Sequence, residues 1–491
     1  MQSIRTPTCV NYETGRSALS GRYVLVSIPT GFQLRQFVHS GIVDMLQARG
    51  IQVAVVSPAH GGEGFANELP AGVELHSVNL TPGVLRRRYW VARQHLLLDS
   101  EPTATLRQKR RDLRRRYWGV ALMTHATNRV LRQVPWLRRK LLRWEQLILR
   151  DRDLETIVAR RPFDLMLLGS PGYEKQDAFL LHLAVRRRIP VAAAILSWDN
   201  LSSKGVVNPS PDRLFVWSDH MRHEAITLQG IAADRIIKTG TAVHDVFAHA
   251  DRFGSRAENL RRLGLDPQRH LLFYGSSHGG NLSDEVEFVK DIARWVETDA
   301  LGVPCQLWVR LHPQAVSGPY KIPIEPYLQL ASPRVKIELP PVRNSALMWD
   351  LPQNDLTHLV ALLRDASVVV NIGSTLSIDA AILDRPVISL GYDPCGELPY
   401  DRSVRRYYSY THVSHLVRVG AVQIATSSND LRDKITTYLK QPELDKDGRR
   451  RIVEQIFGQV DGRSAHRIVS ALCAMLTSPL VSSNGARGHD A

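Results

Sequence analysis

The residues best suited to chemistry lie in three short stretches, each of which follows an apolar run. In NIGSTLSIDAAILDRPVISLGYD (371–393), a strand ends at Gly373, Ser374 and Thr375 and a helix begins there. Backbone N–H groups, small hydroxyls and the positive end of a helix dipole together make a phosphate cradle. Asp379, four residues after Thr375, falls one turn further on the same face, where a carboxylate can accept hydrogen bonds from ribose hydroxyls. A plainer reading has Ser374 or Thr375 capping the helix and Asp379 complementing its dipole. VRLHP (309–313) ends a second strand with Arg310 and His312, and YGSSHGGN (274–281) ends a third with Ser276, Ser277 and His278. Guanidinium and imidazole groups beside a phosphate neutralise charge that builds on a departing diphosphate.

Carboxylates that could take a proton occur in a different part of the chain. GSPGYEKQD (169–177) contains Glu174 and SWDNLSSKG (197–205) contains Asp199; with PTG (29–31) these are the strand-end loops of the first half. Both carboxylates are candidates for a base acting on a hydroxyl, although turn and cap roles suit the same positions. The Asp-Arg-Asp at 151–153 has the composition of a metal-binding pair but does not follow a strand, so no metal is assigned. The sequence contains no GxxxxGK[ST], no GxGxxG after a strand and no GxSxG, which disfavours a P-loop enzyme, an ordinary dehydrogenase and an α/β-hydrolase.

These loops need strands to position them, and the pattern of apolar runs separated by helical periodicity predicts an α/β chain with parallel sheets. Strands are expected within 22–31, 52–58, 163–172, 190–200, 213–218 and 235–240. A second series is expected within 270–277, 305–313, 335–340, 367–374 and 386–393. A single helix is expected over QLRQFVHSGIVDMLQARG (33–50). The segment from Thr241 to about Leu265 reads as a linker with an opening helix. The expected fold is two doubly wound Rossmann-like domains facing a cleft, 1–247 and 248–478, with a disordered tail at 479–491.

With 491 residues the chain has room for several domains, and 44% hydrophobic with 23% charged residues is the composition of a soluble-type protein. Four dispersed cysteines form neither a zinc pattern nor a disulfide framework, and the first 20 residues lack the apolar core of a signal peptide, so a cytoplasmic setting is expected. The net charge of +15 is unevenly placed: residues 86–161 hold 21 Lys and Arg against 7 Asp and Glu, leaving 42 against 41 elsewhere. This segment repeats RRRYW at 86 and 114 and interleaves Trp90, Trp118, Trp136 and Trp144 with leucines. It reads as a basic helical insert of two or three amphipathic helices, suited to the anionic inner face of a membrane. A packed insert with a solvated face would have the same composition, and nucleic acid is a less favoured partner because no nucleic-acid motif accompanies the charge.

The order of VRLHP, NIGSTLSIDAAILDRPVISLGYD and VDGRSAHRIV (460–469) resembles the C-terminal half of CDP-glycerol glycerophosphotransferases and related capsule and teichoic-acid transferases of GT-B fold. By that resemblance His312, Ser374, Thr375, Asp379 and Arg467 fall on nucleotide or diphosphate positions. Asn-Ile-Gly stands where that family has Thr-Asp-Tyr. The turn and Asp-Arg-Pro-Val also resemble nucleotide-sugar glycosyltransferases and non-hydrolysing sugar epimerases. The resemblance therefore implies a metal-independent transferase with no bound cofactor, moving a sugar or polyol phosphate from a nucleotide diphosphate donor to a cell-envelope, capsule or lipid-linked acceptor. A nucleotide-sugar epimerase of the same fold, and a basic nucleic-acid-binding or scaffolding protein with a non-catalytic fold, remain alternatives. In the transferase reading, His312→Ala should lower turnover by far more than it weakens nucleotide binding, because its role peaks as the leaving group forms. Steady-state kinetics beside nucleotide titrations check this, and equal losses in both would remove His312 from that role.

Overall fold

The computed structural model describes residues 16–58, 63–80, 89–90, 103–116, 118–119, 122, 126, 130, 133–170, 172–277, 284–317, 321–343 and 347–477. The sequence-expected tail and His278 lie outside the described residues. Continuous apolar runs such as YVLVS and VVVN are buried at every position, as expected of strands covered by helices on both faces. They assemble into two parallel sheets. The first has β1 (Tyr23–Ser27), β2 (Gln52–Ser57), β3 (Glu74–Ser77), β4 (Leu165–Gly169), β5 (Val191–Ala194), β6 (Arg213–Val216) and β7 (Ile236–Lys238), in the order β3-β2-β1-β4-β5-β6-β7. The second has β8 (His270–Gly275), β9 (Cys305–Arg310), β10 (Val335–Glu338), β11 (Val368–Asn371), β12 (Val387–Leu390) and β13 (Gln423–Ala425), in the order β10-β9-β8-β11-β12-β13.

In both sheets the strand order reverses once, between β1 and β4 and between β8 and β11. Loops leave the carboxyl ends of neighbouring strands in opposite directions there, which opens a crevice for a ligand. The sequence-selected loops Gly169–Asp177, Ser276–Ser277 and Gly373–Asp379 issue from those reversal points. Gly275 ends β8, and a Cβ on it would lie 2.3 Å from the Leu376 side chain. The bare backbone lets Leu376 settle on β8 and so draws the Ser374–Thr375 turn against the strand end.

Two strands escape the sequence reading. β3 is half-exposed and β13 has three residues, so neither carries a long apolar run. The expected helix over 33–50 is interrupted: Leu34–His39 is a π-helical stretch, Gly41 takes a left-handed φ of 79°, and an α-helix resumes at Ile42–Gln47. The wider turn accompanies a run of polar residues driven inward, Gln33 and Gln36 both being buried.

The division at residue 247 falls inside a 3-10 segment, Ala242–Arg252. The helix Ser464–Thr477, grouped by sequence position with the second domain, packs on the first: Ile468, Val469, Leu472 and Leu476 share a core with Phe37, Ile42 and Leu46. A second apolar cluster joins Trp217 and Met221 to Ile378, Ile452 and Phe457 of the second domain, with the Trp217 and Phe457 rings stacked 5.5 Å apart. Facing loops also meet. Gly31 N–H donates to the Met348 carbonyl at 2.9 Å, and a Cβ at Gly31 would stand 1.9 Å from the Trp349 carbonyl oxygen. Gly31→Ala should therefore force the two loops apart at a cost of about 1–3 kcal/mol, the usual range for overpacking. Thermal unfolding would show a lower melting temperature and small-angle scattering a larger radius; an unchanged radius would mean that this contact does not set the closure.

Candidate functional site

The floor of the cleft is an ion network built from both domains. Arg35, on the π-helical stretch after β1, donates to Asp355 Oδ2 at 2.8 Å. Arg310, the last residue of β9, donates to Asp355 Oδ1 at 2.5 Å and also to Glu338 at the end of β10. Trp308 Nε1 donates to the other Glu338 oxygen at 2.6 Å, and His358 stands 3.2 Å away. Burial draws the Glu338 carboxyl upward, yet His358 and Arg310 together hold it below the ordinary carboxylate value. Burial likewise lowers the affinity of Arg35 for its proton against the pull of Asp355, with Arg310 adding to the fall and Asp379 opposing it. Arg310, selected from sequence as a diphosphate partner, is thus engaged by two carboxylates. Arg35, which the sequence reading passed over, brings a second cation whose buried Nε has no partner among the described residues. The inward polar run QLRQ after β1 was the available signal for it.

Around this floor stand the other selected residues. His312 accepts the Gln314 N–H on Nδ1 at 3.1 Å, which leaves the ring proton on Nε2, and its own N–H donates to Ser276 Oγ at 2.9 Å. Its ring meets Trp349 edge-on at 4.7 Å, and Trp349 in turn packs at 4.3 Å on Phe32 of the first domain. Ser277 gives both its N–H and its hydroxyl to the buried Glu285, at 2.7 and 2.6 Å, so its side chain shapes the loop. Gly373 turns with a left-handed φ of 43°, and Ser374 Oγ accepts the Leu376 N–H at 3.1 Å. Asp379 lies on the helix Leu376–Ile382 and accepts a hydrogen bond on Oδ1 from His244 Nε2 at 2.9 Å. His244 comes from the interdomain segment and is a second residue that sequence reading missed. Arg467 is placed elsewhere: it clamps Asp461 with two hydrogen bonds and donates to the Thr239 carbonyl at 2.7 Å, securing the C-terminal helix beneath β7.

On the first-domain side the two candidate bases occupy contrasting environments. Asp199 accepts from Ser197 Oγ at 2.7 Å and Ser203 Oγ at 2.8 Å, with Lys204 Nζ at 3.6 Å. Burial alone would push its carboxyl up, but Lys204, His412 and the two hydroxyls hold it far below the usual range. Glu174 heads the helix Lys175–Arg187, and among the described residues its carboxylate makes no hydrogen bond. Burial pushes it up to about 7, with Lys204 and Lys175 restraining the rise. Asp177, fully buried one turn later, is raised well above the ordinary carboxylate value by burial, offset in part by Ser27 and Gln33 and reinforced by Glu174. His412 of the second domain packs edge-on against Trp198 at 4.9 Å, and burial pushes its imidazole down to about 4. Near neutral pH this side therefore offers an ionised Asp199, a neutral His412 and a Glu174 close to half-titration, beside a buried Asp177 shifted upward.

The basic insert contributes to the same rim. Its helix Ala104–Arg116 lies over the Asp199 loop, with Thr103 Oγ1 donating to the Ser202 carbonyl at 2.6 Å and Lys109 Nζ to the Ser203 carbonyl at 2.5 Å. It reaches the second domain through a Thr105–Thr411 pair and an Arg115–Asp401 ion pair at 2.5 Å. Asp151 of the Asp-Arg-Asp stretch caps the helix Arg152–Arg160 by accepting the Asp153 and Leu154 N–H groups. Among the described residues no group of His, Cys, Asp and Glu has the arrangement to hold a metal ion, and no helix is long and apolar enough to cross a membrane.

No protein-family model matches the chain, and no curated protein matches its sequence. Its fold is shared with solved structures. UDP-GlcNAc 2-epimerase from Neisseria meningitidis, bound to UDP-GlcNAc, superposes with a TM-score of 0.52 at 11% identity, over 92% of this chain and 100% of that one. MnaA of S. aureus in a UDP co-structure gives 0.52 at 11%, over 92% and 96%. UDP-GlcNAc 2-epimerase from Methanocaldococcus jannaschii gives 0.51 at 14%, over 92% and 99%. The shared fold is GT-B, two Rossmann-like domains facing a cleft.

The Glu174 environment has a measurable consequence. A carboxyl raised from 4.5 to about 7 keeps its proton in the folded state where the unfolded chain has lost it, so stability falls as pH rises between those values. Glu174→Gln should remove that slope, melting above the parent protein at a pH over 7 and level with it below 4.5. Parallel melting curves at every pH would show that Glu174 is solvated and ordinary.

Proposed function

We propose that the protein is a GT-B enzyme that transfers a sugar, or a polyol phosphate, from a nucleotide diphosphate donor on the second domain to a hydroxyl acceptor on the first. The observation that carries this reading is a carboxylate poised near neutrality on a strand-end loop: Glu174 follows the carboxyl end of β4 and is pushed up to about 7, while Asp199 on the next such loop is held ionised; Glu224, also pushed up to about 7 by burial, lies instead on the helix Asp219–Thr227. A base with a pKa near working pH is the most efficient proton acceptor from a hydroxyl.

In this reading Glu174 takes the acceptor O–H proton as the acceptor oxygen forms its bond to the anomeric carbon, or to phosphorus. In sugar transfer the anomeric C–O bond breaks and a nucleoside diphosphate departs; in polyol-phosphate transfer the bridging P–O bond of the diphosphate breaks and a nucleoside monophosphate departs; in both the electron pair stays on the departing phosphate oxygen. The His312 Nε2–H, the Ser374 and Thr375 hydroxyls and the free N–H groups of their turn receive that charge. Arg310 and Arg35 act through the field of the cleft, since both are tied to Asp355. The free Oδ2 of Asp379 is available to ribose. An inverting, metal-independent displacement needs nothing further from the chain, and the acceptor class implied by the sequence resemblance is a cell-envelope or capsule glycan or a lipid-linked one.

Acceptor-free conversion is the second reading, favoured by one finding: the solved structures sharing this fold with TM-scores above 0.5 include proteins described as UDP-GlcNAc 2-epimerases. One series of experiments separates the two. A panel of UDP, CDP, GDP and dTDP sugars should raise the melting temperature, by an amount corresponding to about 2.7 kcal/mol at a hundredfold excess over Kd. Incubation of the stabilising donor without acceptor, followed by NMR, should leave its sugar configuration unchanged in the transferase and convert it in an epimerase. Turnover with acceptor should rise with pH to a plateau above about 7, and Glu174→Gln should lose about 10²–10⁴-fold. Stabilisation by none of the nucleotides would overturn both readings.

A further inference from the structure

The helix Pro135–Ile148 (PWLRRKLLRWEQLI) half-buries Leu142 and Ile148 and ends on the buried Leu149, yet it leaves a second set of large apolar residues on its outward face. A helix on a globular surface normally buries its apolar stripe and turns its charges to water. Here the one fully buried side chain among the described residues of the helix is an acid, Glu145, which accepts from the Asn208 amide and lies 3.3 Å from His182 Nε2. The same face is tied down through its carbonyls, with Arg186 donating to Gln146 O at 2.8 Å and Asn208 to Leu142 O at 3.3 Å. The outward stripe holds Trp136, Lys140, Arg143, Trp144 and Leu147, at steps of four, seven, eight and eleven residues that share one face. Trp136, Trp144 and Leu147 are 59%, 56% and 62% exposed, and Lys140 Nζ lies over the Trp136 ring at 5.1 Å. The only acid in the helix is the buried Glu145, so the outward face carries cations and large apolar groups alone.

The later part of the insert continues the pattern, whereas Trp90, grouped with these tryptophans in the sequence, is buried in the core of the first domain. Trp118, Leu122 and Val130 are 76%, 62% and 47% exposed, so six of the eleven most exposed large apolar side chains among the described residues fall within 118–147. The helix Ala104–Arg116 turns Arg107, Arg111 and Arg114 outward on one face, Arg115 beside them being paired with Asp401.

We propose that this face of the insert is a docking surface for an anionic phospholipid bilayer. Tryptophan rings belong at the boundary of headgroup and acyl chain, leucine just below it, and lysine and arginine at the phosphates. The stripe supplies all three on one face of the helix. A second copy of the chain is a poor occupant, because a twofold contact would set the face that bears Lys140 and Arg143 against an identical cationic face. Nucleic acid satisfies the cations but gives exposed leucines and a valine nothing to bury against. The inference is independent of the reaction assigned to the cleft, since it rests on the outer surface of the insert alone.

The test uses the full chain and phosphatidylcholine vesicles with and without phosphatidylglycerol. Co-sedimentation is expected only with the anionic vesicles and should weaken as salt is raised. Each basic residue at an anionic surface contributes about fivefold, so Lys140→Glu/Arg143→Glu should lower the affinity at least twentyfold. Trp136→Ser/Trp144→Ser should lower it by about tenfold or more, with a remainder that salt removes. Both double variants change exposed side chains, and their melting temperatures and nucleotide-induced shifts should match the parent, which keeps a folding defect or a failed reading of the cleft distinguishable from a failed surface. Binding that ignores lipid charge, no binding at all, or binding unmoved by both double variants would overturn the proposal. So would a preference for RNA or DNA over anionic vesicles in direct competition, or a dimer that the tryptophan variant dissociates.

Discussion

Asp355 is buried between two guanidinium groups, Arg35 from the first domain and Arg310 from the second, and the geometry of the cleft depends on that arrangement. Taking three charges out of water is costly, and the cost is offset only while each group keeps its partners. Opening the domains would strip Arg35 from Asp355, so closure is coupled to charge balance. Glu338 supports the arrangement from behind by accepting from Arg310, and the Gly31–Met348 contact and the His244–Asp379 hydrogen bond lie along the same domain boundary. Further along it, Glu68 accepts from His39 of its own domain and Arg343 of the other.

With the domains held in this way, burial sorts groups of similar chemistry into different protonation states. Asp199 and Glu174 are both carboxylates on strand-end loops of the first domain, and Lys204 acts on both. Two hydroxyl donors and a close ammonium make the first a weak base. The second has burial without hydrogen bonds, and that difference alone raises it towards neutrality. The distinction supports assigning proton transfer to Glu174 in preference to Asp199.

The insert unites two roles that its composition alone would separate. Its first described helix is a strut, bonded to the Asp199 loop on one side and to Thr411 and Asp401 on the other. Its later helix is anchored by a buried glutamate and presents tryptophans to the exterior. A membrane-facing surface and a wall of the cleft therefore belong to one segment of the first domain, the side on which the proposed reaction places the acceptor.

The fold class is legible in the order of residues, because strands buried on both faces must be continuous apolar runs and parallel strands must be separated by helices. That order also locates the loops Gly373–Asp379, Arg310–His312 and Gly169–Asp177, since polar residues directly after such runs sit at strand ends. Short or half-exposed strands such as β3 and β13 left too little apolar signal to be read. What each side chain does emerges from the packed chain, for partnership is a property of space and not of order along the chain. Arg310 is bound to Asp355, which lies 45 residues away, and Asp379 to His244, which lies 135 away. Arg467 is drawn to Thr239 by a helix that crosses back to the first domain. The outward turn of Trp136 and Trp144 was likewise unreadable, because a helical period fixes which residues share a face but only packing decides which face is buried.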